Sequence, residues 1–381
     1  MEVGCAPRAL FISMQSLQNS VWASLEKRRF DRRVQSVVLL PPLFILGHWR
    51  SGTTFLHEIL SRDERFGYPN SYQVSFPHTF LSTEKFGARL VAPFLPRRRP
   101  MDGMEMKFSS PQEDEFAICA STLQSPCLGW VFPRQRHEFA RYLTLNALRT
   151  EELAQWRNAF LWFLKKVQLR WDQRPLVLKS PPHTARIQQL VECFPGAKFV
   201  HIRRDPYRVI QSSLHTFRIL HRWHALQRSP LQDLEAWTLQ QYSEMHRAFF
   251  EQKGSIPEGR FHEVAYEDLE KDPVGEIGRL YQALALPDFR KFEPSLRRYL
   301  DSVANYKKNR LPQMPRELRL RIGQECRNDR GRSGHQIRWH VGNPHRRLPG
   351  QQCSQPEQAG GVFHAANARS ISCVTCATRA A

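Results

Sequence analysis

Residues 43–60, LFILGHWRSGTTFLHEIL, constrain the fold more than any other stretch of the chain. Four apolar residues follow a pair of prolines, which predicts a short buried strand rather than a helix. Gly47 and Gly52 then bracket a turn, and apolar residues recur at helical spacing from Phe55 onward. A turn between a strand and a helix directs backbone N–H groups and the positive end of the helix dipole to one point. The stretch therefore predicts an anion-binding loop, although a glycine turn that only joins strand to helix would have the same spacing.

The two glycines have the spacing of the nucleotide-triphosphate P-loop, G-x-x-x-x-G-K-[ST], but Thr53 occupies the position of its lysine. An ordinary nucleotide kinase is therefore disfavoured, and an atypical one remains an alternative. Positive charge comes instead from Arg50. The run Arg50, Ser51, Gly52, Thr53 and Thr54 resembles the 5′-phosphosulfate loop of sulfotransferases that use 3′-phosphoadenosine 5′-phosphosulfate (PAPS), in which Lys or Arg precedes Ser-Gly-Thr-Thr.

A second region alternates strands and helices. The predicted order is strand 175–179, helix 184–194, strand 198–203 and a helix that starts at Asp205-Pro206. This order predicts a right-handed crossover and a parallel sheet, whose ligands collect beyond the carboxyl ends of the strands. Lys179 and Arg204 each lie at such an end, as does the loop at residues 47–54, so we expect all three at one edge of the sheet.

Residues 199–206 with Ser212 resemble the 3′-phosphate element of the same sulfotransferase family, in which a strand-end Arg and a Ser eight residues later hold the 3′-phosphate. Arg204 and Ser212 match that spacing, and Arg203 would substitute if the strand ended one residue earlier. Lys179 is similar to the family lysine that assists the leaving group. The resemblance covers residues 43–310 and is strongest to a broad bacterial-type group with the Gly-His-Trp-Arg-Ser-Gly-Thr-Thr loop.

The resemblance implies an α/β, P-loop-like three-layer fold with a central parallel sheet flanked by helices. It also implies an enzyme that moves a sulfuryl group from PAPS to an acceptor hydroxyl or amine. No metal is required by this interpretation, because arginine and lysine supply the positive charge. The acceptor would be a small molecule, carbohydrate, lipid or peptide, and the aromatic residues at 68–80 suggest an apolar or ring-bearing one.

A general base must take the proton of the acceptor. Glu113 and Glu115 are the first candidates; a helix capped by Ser110 with Pro111 at its first position would place both in the first turns, where electrostatic capping explains them equally well. His183 and His78 are the second candidates. The cytosolic branch of the family has its base histidine two residues after the lysine, and Pro181 occupies that position here, so the base stays open.

The net charge of +20 permits binding of nucleic acid, anionic membranes or phosphorylated ligands. A basic nucleic-acid-binding protein is therefore an alternative function, but nucleic acid is not the expected partner because no helix-turn-helix, zinc-finger or RNP pattern occurs. Cys373 and Cys376 alone have metal-like spacing, which is a weak zinc signal.

Composition predicts three segments. An amphipathic helix and a basic connector occupy residues 1–40, the sulfotransferase domain occupies 41–327, and a tail rich in Arg, Gln, Gly and Pro at 328–381 is predicted to be disordered. No run of 18 to 20 apolar residues or signal peptide is present. We therefore expect no transmembrane segment and a cytoplasmic location; the oligomeric state is not predicted.

Overall fold

A computed structural model describes residues 6–94, 98–99, 101–227, 230, 232–306 and 311–333. The architecture centres on a four-stranded parallel sheet in the order β2-β1-β3-β4. The strands are β1 (Leu43–Leu46), β2 (Val177–Lys179), β3 (Lys198–Arg203) and β4 (Phe261–Ala265). In register, Ile45 pairs with Lys179 on one side and with Val200 on the other. The predicted parallel sheet is confirmed, and its strand ends bring the predicted loops to one edge.

Helices surround this sheet. In chain order they are α1 (Ala6–Gln35), α2 (Thr53–Leu60), α3 (Ser71–Ser75), α4 (Phe80–Val91), α5 (Glu115–Thr122), α6 (Leu128–Val131), α7 (Arg136–Ala140), α8 (Thr150–Arg170), α9 (Ile187–Cys193), α10 (Pro206–His224), α11 (Gln232–Gln252), α12 (Tyr266–Lys271), α13 (Pro273–Ala283), α14 (Phe289–Val303) and α15 (Arg316–Ser333). Within the described residues, no helix is both long and apolar enough to cross a bilayer.

The two faces of the sheet are buried under different helices. Alternate residues of β1 point to opposite faces, as the pleat of a strand requires. Phe44 packs in a cluster with Phe160 and Phe163 of α8, whereas Ile45 packs in a cluster with Ile59 of α2 and with residues of α13 and α14. This arrangement is the predicted three-layer α/β fold, with one helical layer on each face.

Several element boundaries differ from the predictions. The basic run at residues 28–33, predicted to be a connector, is helical because α1 continues to Gln35. The helix predicted from Ser110 begins at Glu115. Residues 110–112 are held elsewhere, since Ser110 accepts a hydrogen bond from the Ser71 N–H and the Gln112 N–H donates to the Pro69 carbonyl. The helix α15 runs through the boundary predicted at Arg327, and residues 334–381 of the predicted disordered tail lie outside the described residues.

Candidate active site

The loop after β1 is shaped by its two glycines. Gly47 has φ 147° and Gly52 has φ 106°, both in the region that favours glycine. A Cβ on Gly52 would lie 2.3 Å from Cδ2 of Tyr266, so only glycine fits there. Gly52 immediately precedes α2, whose first N–H groups have no carbonyl one turn earlier to bond. The helix start therefore offers backbone donors and a positive dipole end.

Ser51 closes the turn instead of facing a ligand. Its hydroxyl and its N–H both donate to the His48 carbonyl, at 2.8 and 3.1 Å, and the residue is buried. Of the loop residues predicted to bind an anion, Ser51 is thus committed to the turn. Thr53, Thr54 and Arg50 line the adjoining cavity.

The two predicted phosphate elements meet in space. Nε of Arg50 donates to the Ser212 hydroxyl of α10 at 3.0 Å. Nη1 of Arg204 donates to the Arg50 carbonyl at 3.0 Å, across 154 residues of sequence. Arg203, the last residue of β3, pairs with Glu263 instead. The strand end therefore presents Arg204 rather than Arg203 to the loop.

Arg204 is suited to bind an anion. Its guanidinium lies 3.9 Å from the ring centroid of Tyr266, and its buried Nε has no hydrogen-bond partner among the described residues. Burial lowers the pKa of Arg204, yet a guanidinium stays protonated. A buried cation with an unused donor is costly without a ligand, and a phosphate oxygen would satisfy it. Arg204 and Ser212 lie behind Arg50 and outside the cavity lining.

Asp102 is a partner of Arg50 that sequence reasoning missed. Its Oδ2 lies 2.9 Å from Nη1 of Arg50, and its Oδ1 lies 3.6 Å from Nε of Arg99. Burial would raise the pKa of Asp102, but the two arginines outweigh it and lower the pKa. Asp102 therefore stays ionised and orients Arg50. No local sequence signal links these residues, which are 52 positions apart.

A cavity of about 140 Å³ opens next to the loop. Glu113 lines it, and Oε1 of Glu113 accepts a 2.6 Å hydrogen bond from Nζ of Lys179, the last residue of β2. Burial lowers the pKa of Lys179, and the charge of Glu113 opposes that effect. The cavity thus lies between the start of α2 and Glu113, whose partner Lys179 is buried behind it.

Glu58 is a second carboxyl group in the cavity lining that the sequence analysis missed. It follows Thr54 by one helical turn, so it lies on the same side of α2, and this spacing was the available signal. Burial raises the pKa of Glu58, although Oε2 accepts a 2.6 Å hydrogen bond from Arg62, whose charge acts the other way. A carboxyl with a raised pKa in a cleft is a candidate proton carrier.

Glu115 and His183, both predicted as catalytic, are buried away from the cavity. Both carboxylate oxygens of Glu115 accept from Arg186, at 2.6 and 3.1 Å, and Ser125 donates to one of them. His183 Nε2 lies 2.7 Å from Asp114 Oδ2. Neither residue is among those lining the cavity, because α5 begins late and turns Glu115 inward. The geometry therefore favours a structural role for both residues rather than the predicted catalytic one.

His78 also lies away from the candidate site. Its ring centroid is 5.0 Å from that of Trp162, and it lines a different cavity between α1 and α8 together with Glu26 and Lys166. The irregular segment around residue 78 faces the N-terminal helix rather than the anion loop. His78 is therefore corrected from a candidate base to a residue of the α1 interface.

The rest of the cavity wall combines apolar side chains with polar and charged ones. The apolar part includes Met101, Met104 and Met106, together with Leu220 and Trp223 of α10. Methionine side chains are flexible and adapt to irregular apolar ligands. Within the described residues, no cluster of three or more metal-ligating side chains occurs, and Cys373 and Cys376 lie outside that range.

Comparisons with known proteins agree with this geometry. Residues 41–291 match the model of the sulfotransferase family. Two relatives named omega-hydroxy-beta-dihydromenaquinone-9 sulfotransferase Stf3, from Mycobacterium bovis and Mycobacterium tuberculosis, are each 40% identical over 302 residues, covering 79% of this chain and 77% of theirs.

Two solved structures share the fold. Sulfotransferase STF9 from Mycobacterium avium superposes with a TM-score of 0.65 and 19% identity, covering 85% of this chain and 84% of that one. Sulfotransferase STF1 from Mycobacterium tuberculosis superposes with a TM-score of 0.59 and 16% identity, covering 84% of each chain. At these identities the likeness concerns the fold alone.

Proposed function

The chain belongs to the sulfotransferase family, and from that premise we propose that it transfers a sulfuryl group from PAPS to the hydroxyl of an apolar, lipid-like acceptor. The observation that carries the donor assignment is the contact between Arg50 and Arg204, which joins the two predicted phosphate elements into one site. The family assignment favours this function over the nucleotide-kinase and nucleic-acid-binding alternatives.

The protein would bind the donor at both of its charged groups, the 5′-phosphosulfate and the 3′-phosphate. Arg50 and the N–H groups of Gly52, Thr53 and Thr54 would bind the 5′-phosphosulfate, since a helix start is an anion site. Arg204, with its unused Nε, and Ser212 would bind the 3′-phosphate. The Ser212 hydroxyl now accepts from Arg50, so it lies within reach of both elements.

In the transfer step, the acceptor oxygen forms a bond to sulfur while the bond from sulfur to the bridging oxygen of the donor breaks. Adenosine 3′,5′-bisphosphate leaves, and the acceptor proton passes to a carboxylate. We propose that Glu113 accepts this proton. Its protonation removes the negative charge facing Lys179, so the lysine becomes available to the leaving oxygen as negative charge grows there. Glu58 is the alternative proton acceptor.

The acceptor class follows from the cavity wall. Met101, Met104, Met106, Leu220 and Trp223 offer apolar contact to the body of an acceptor, beside the polar side chains of the same wall. The mycobacterial relatives carry a menaquinone-derived acceptor in their name, which supports a lipid-like acceptor for this chain too.

We also propose a cytoplasmic site of action, supported by the free thiols of Cys119, Cys127 and Cys193.

Transfer of ³⁵S from labelled PAPS tests this function. We expect label on a long-chain prenyl or alkyl alcohol, less on a phenol, and least on a sugar or a tyrosine peptide. The variant Arg50→Ala should lose transfer, and Arg297→Ala, an exposed arginine paired with Glu293, should keep it. Failure to transfer label to any acceptor, combined with magnesium-dependent phosphoryl transfer from ATP, would contradict the proposal.

A further inference from the structure

The N-terminal helix exposes a continuous apolar stripe. Met14, Leu17, Val21 and Leu25 of α1 recur every three or four residues, which places them on one helical face. The first three each expose 60% or more of their surface, and Leu25 exposes half. The stripe is about 16 Å long at 1.5 Å per residue. Soluble proteins scatter such residues singly, so a continuous stripe indicates a surface that is covered by something else.

A second helix widens this stripe. Trp22 of α1 contacts Phe86 of α4, with ring centroids 6.2 Å apart. Phe86 and Leu90, one turn apart on α4, are also exposed. We call the combined surface the docking face; it comprises Met14, Leu17, Val21, Leu25, Phe86 and Leu90.

Basic side chains border the docking face. Arg28 and Arg32 are exposed and continue the stripe along the same side of α1, three and seven residues after Leu25. Lys85 and Arg89 are exposed next to Phe86 and Leu90 on α4. Long basic side chains can rest their stems on an apolar layer while the charge reaches polar headgroups. The surface thus has both components of an interfacial anchor.

The acidic residues of the two helices do not offset this charge. Glu26 is buried against Lys166, and Oε2 of Glu84 accepts from Arg170 at 2.8 Å. Asp31 accepts from the neutral Gln35 at 2.9 Å and keeps its charge, but it is outnumbered by the exposed basic residues of the two helices. The charge presented around the docking face is therefore basic, in keeping with the net charge of +20.

We propose that the docking face binds the surface of a lipid bilayer that contains anionic lipids. An apolar stripe bordered by arginine and lysine is the pattern of a helix that lies in the membrane interface. A second copy of the chain with α1 packed in parallel would be a poorer partner, because it would bring Arg28 and Arg32 towards their own copies; an antiparallel dimer is an outcome of the test below. This inference concerns the location of the enzyme and holds whichever acceptor it uses.

Helix α4 of the docking face packs against α3, which borders the cavity. Tyr72 of α3 contacts Gly87 of α4 so closely that a Cβ there would lie 2.1 Å from the tyrosine hydroxyl. Ser71, next to Tyr72, lines the cavity, and α4 leads along the chain into the wall that contains Met101 and Met104. A docked α4 would therefore lie one helix away from the cavity.

Vesicle co-sedimentation of the full chain tests the proposal. The probes are vesicles of phosphatidylcholine alone and of phosphatidylcholine with phosphatidylglycerol in a 7:3 ratio. We expect at least a tenfold preference for the anionic vesicles, reduced by salt. Leu17→Gln with Val21→Gln, and separately Arg28→Gln with Arg32→Gln, should each weaken binding roughly tenfold or more. Leu320→Gln, an exposed leucine on α15, is the matched control and should bind as the parent does.

Thermal unfolding of each variant and sedimentation velocity complete the design. The substituted side chains are exposed, so unfolding temperatures should stay within about 2 °C of the parent. Equal binding of neutral and anionic vesicles, or unchanged binding of both double variants, would overturn the proposal. It would also be overturned if the parent bound no vesicles and sedimented as a dimer that Leu17→Gln with Val21→Gln converted to a monomer.

Discussion

Three adjacent acids have three different partners. Glu113 pairs with Lys179 at the cavity, Asp114 with His183, and Glu115 with Arg186. Successive side chains at a helix start point in directions about 100° apart, so neighbours in sequence enter different environments. Only the first of the three reaches the cavity, and this restricts the catalytic assignment to Glu113.

Glu113→Gln tests that assignment. The amide cannot take a proton, so we expect kcat to fall roughly 10²- to 10⁴-fold. The midpoint of thermal unfolding should also fall, because Lys179 stays buried without its counter-charge. Steady-state assays of labelled sulfuryl transfer measure the effect. Retention of kcat within threefold in this variant, together with its loss in Glu58→Gln, would transfer the role to Glu58.

Glu115→Ala is the matched control for position 113. It leaves Arg186 buried without its counter-charge, which costs about 3–5 kcal/mol of unfolding free energy. Urea denaturation measures this loss. If Glu115→Ala were fully stable but inactive, Glu115 would have to act in the chemistry and the structural assignment would be wrong.

Glu58 makes the stability of the enzyme depend on pH. Burial raises the pKa of Glu58 in the folded state, so its contribution to stability is fully present below the unfolded-state pKa and is lost as the pH rises through the folded-state value. Glu58→Gln removes this titration. We therefore expect the free energy of unfolding of the variant, minus that of the parent, to be larger at pH 7 than at pH 4; urea denaturation at both pH values measures it. A smaller difference at pH 7 than at pH 4 would contradict the raised pKa.

At the scale of elements, the junction of β1 and α2 depends on Gly52. Alanine there would combine a strained φ with a clash against Tyr266, the ring that also contacts Arg204. We expect Gly52→Ala to weaken binding of adenosine 3′,5′-bisphosphate at least tenfold in calorimetry. Gly259→Ala is the matched control, because Gly259 has φ 73° but no atom within 4 Å of an added Cβ. Equal losses of affinity in both variants would mean that backbone strain, and not the clash with Tyr266, causes the loss.

The helix α1 is attached to α8 by a buried ion pair. Nζ of Lys166 lies 2.5 Å from Oε1 of Glu26, and the lysine also donates to the Pro77 carbonyl. Burial lowers the pKa of Lys166 to about 8, against the effect of Glu26. Glu26→Ala should cost about 3–5 kcal/mol of unfolding free energy, because it leaves the ammonium buried without its partner. Glu26→Leu with Lys166→Met should recover most of that loss in urea denaturation; a double variant as unstable as Glu26→Ala would contradict this account.

The sequence indicates the elements whose residues carry a local pattern. The strands at Leu43–Leu46 and Lys198–Arg203, and the N-cap of Asp205 before Pro206, agree with the structure because apolar runs and capping chemistry are short-range signals. The sequence predicts only some of the residues of the candidate site. Burial of Glu115 and His183 depends on Arg186 and on Asp114, and the Asp102 contact with Arg50 spans 52 residues. Such pairings depend on tertiary packing and leave no periodic signal.

At the scale of the whole molecule, the fold brings together the two distant segments that form the proposed anion site. The parallel order β2-β1-β3 places the ends of β1 and β3 side by side, so the loop that carries Arg50 lies next to Arg204. Function in this account depends on that juxtaposition. The two arginines should therefore act on opposite ends of a single bound nucleotide.

Isothermal titration calorimetry with adenosine 3′,5′-bisphosphate and adenosine 5′-monophosphate tests this claim most directly. A lost charged hydrogen bond costs about 1.5–3 kcal/mol, or roughly 10- to 100-fold in affinity. Arg50→Ala should weaken binding of both ligands by this factor, whereas Arg204→Ala should weaken only that of the bisphosphate. Arg297→Ala should bind both as the parent does. Unchanged affinity of Arg204→Ala for the bisphosphate, or an equal loss for both ligands, would contradict the account.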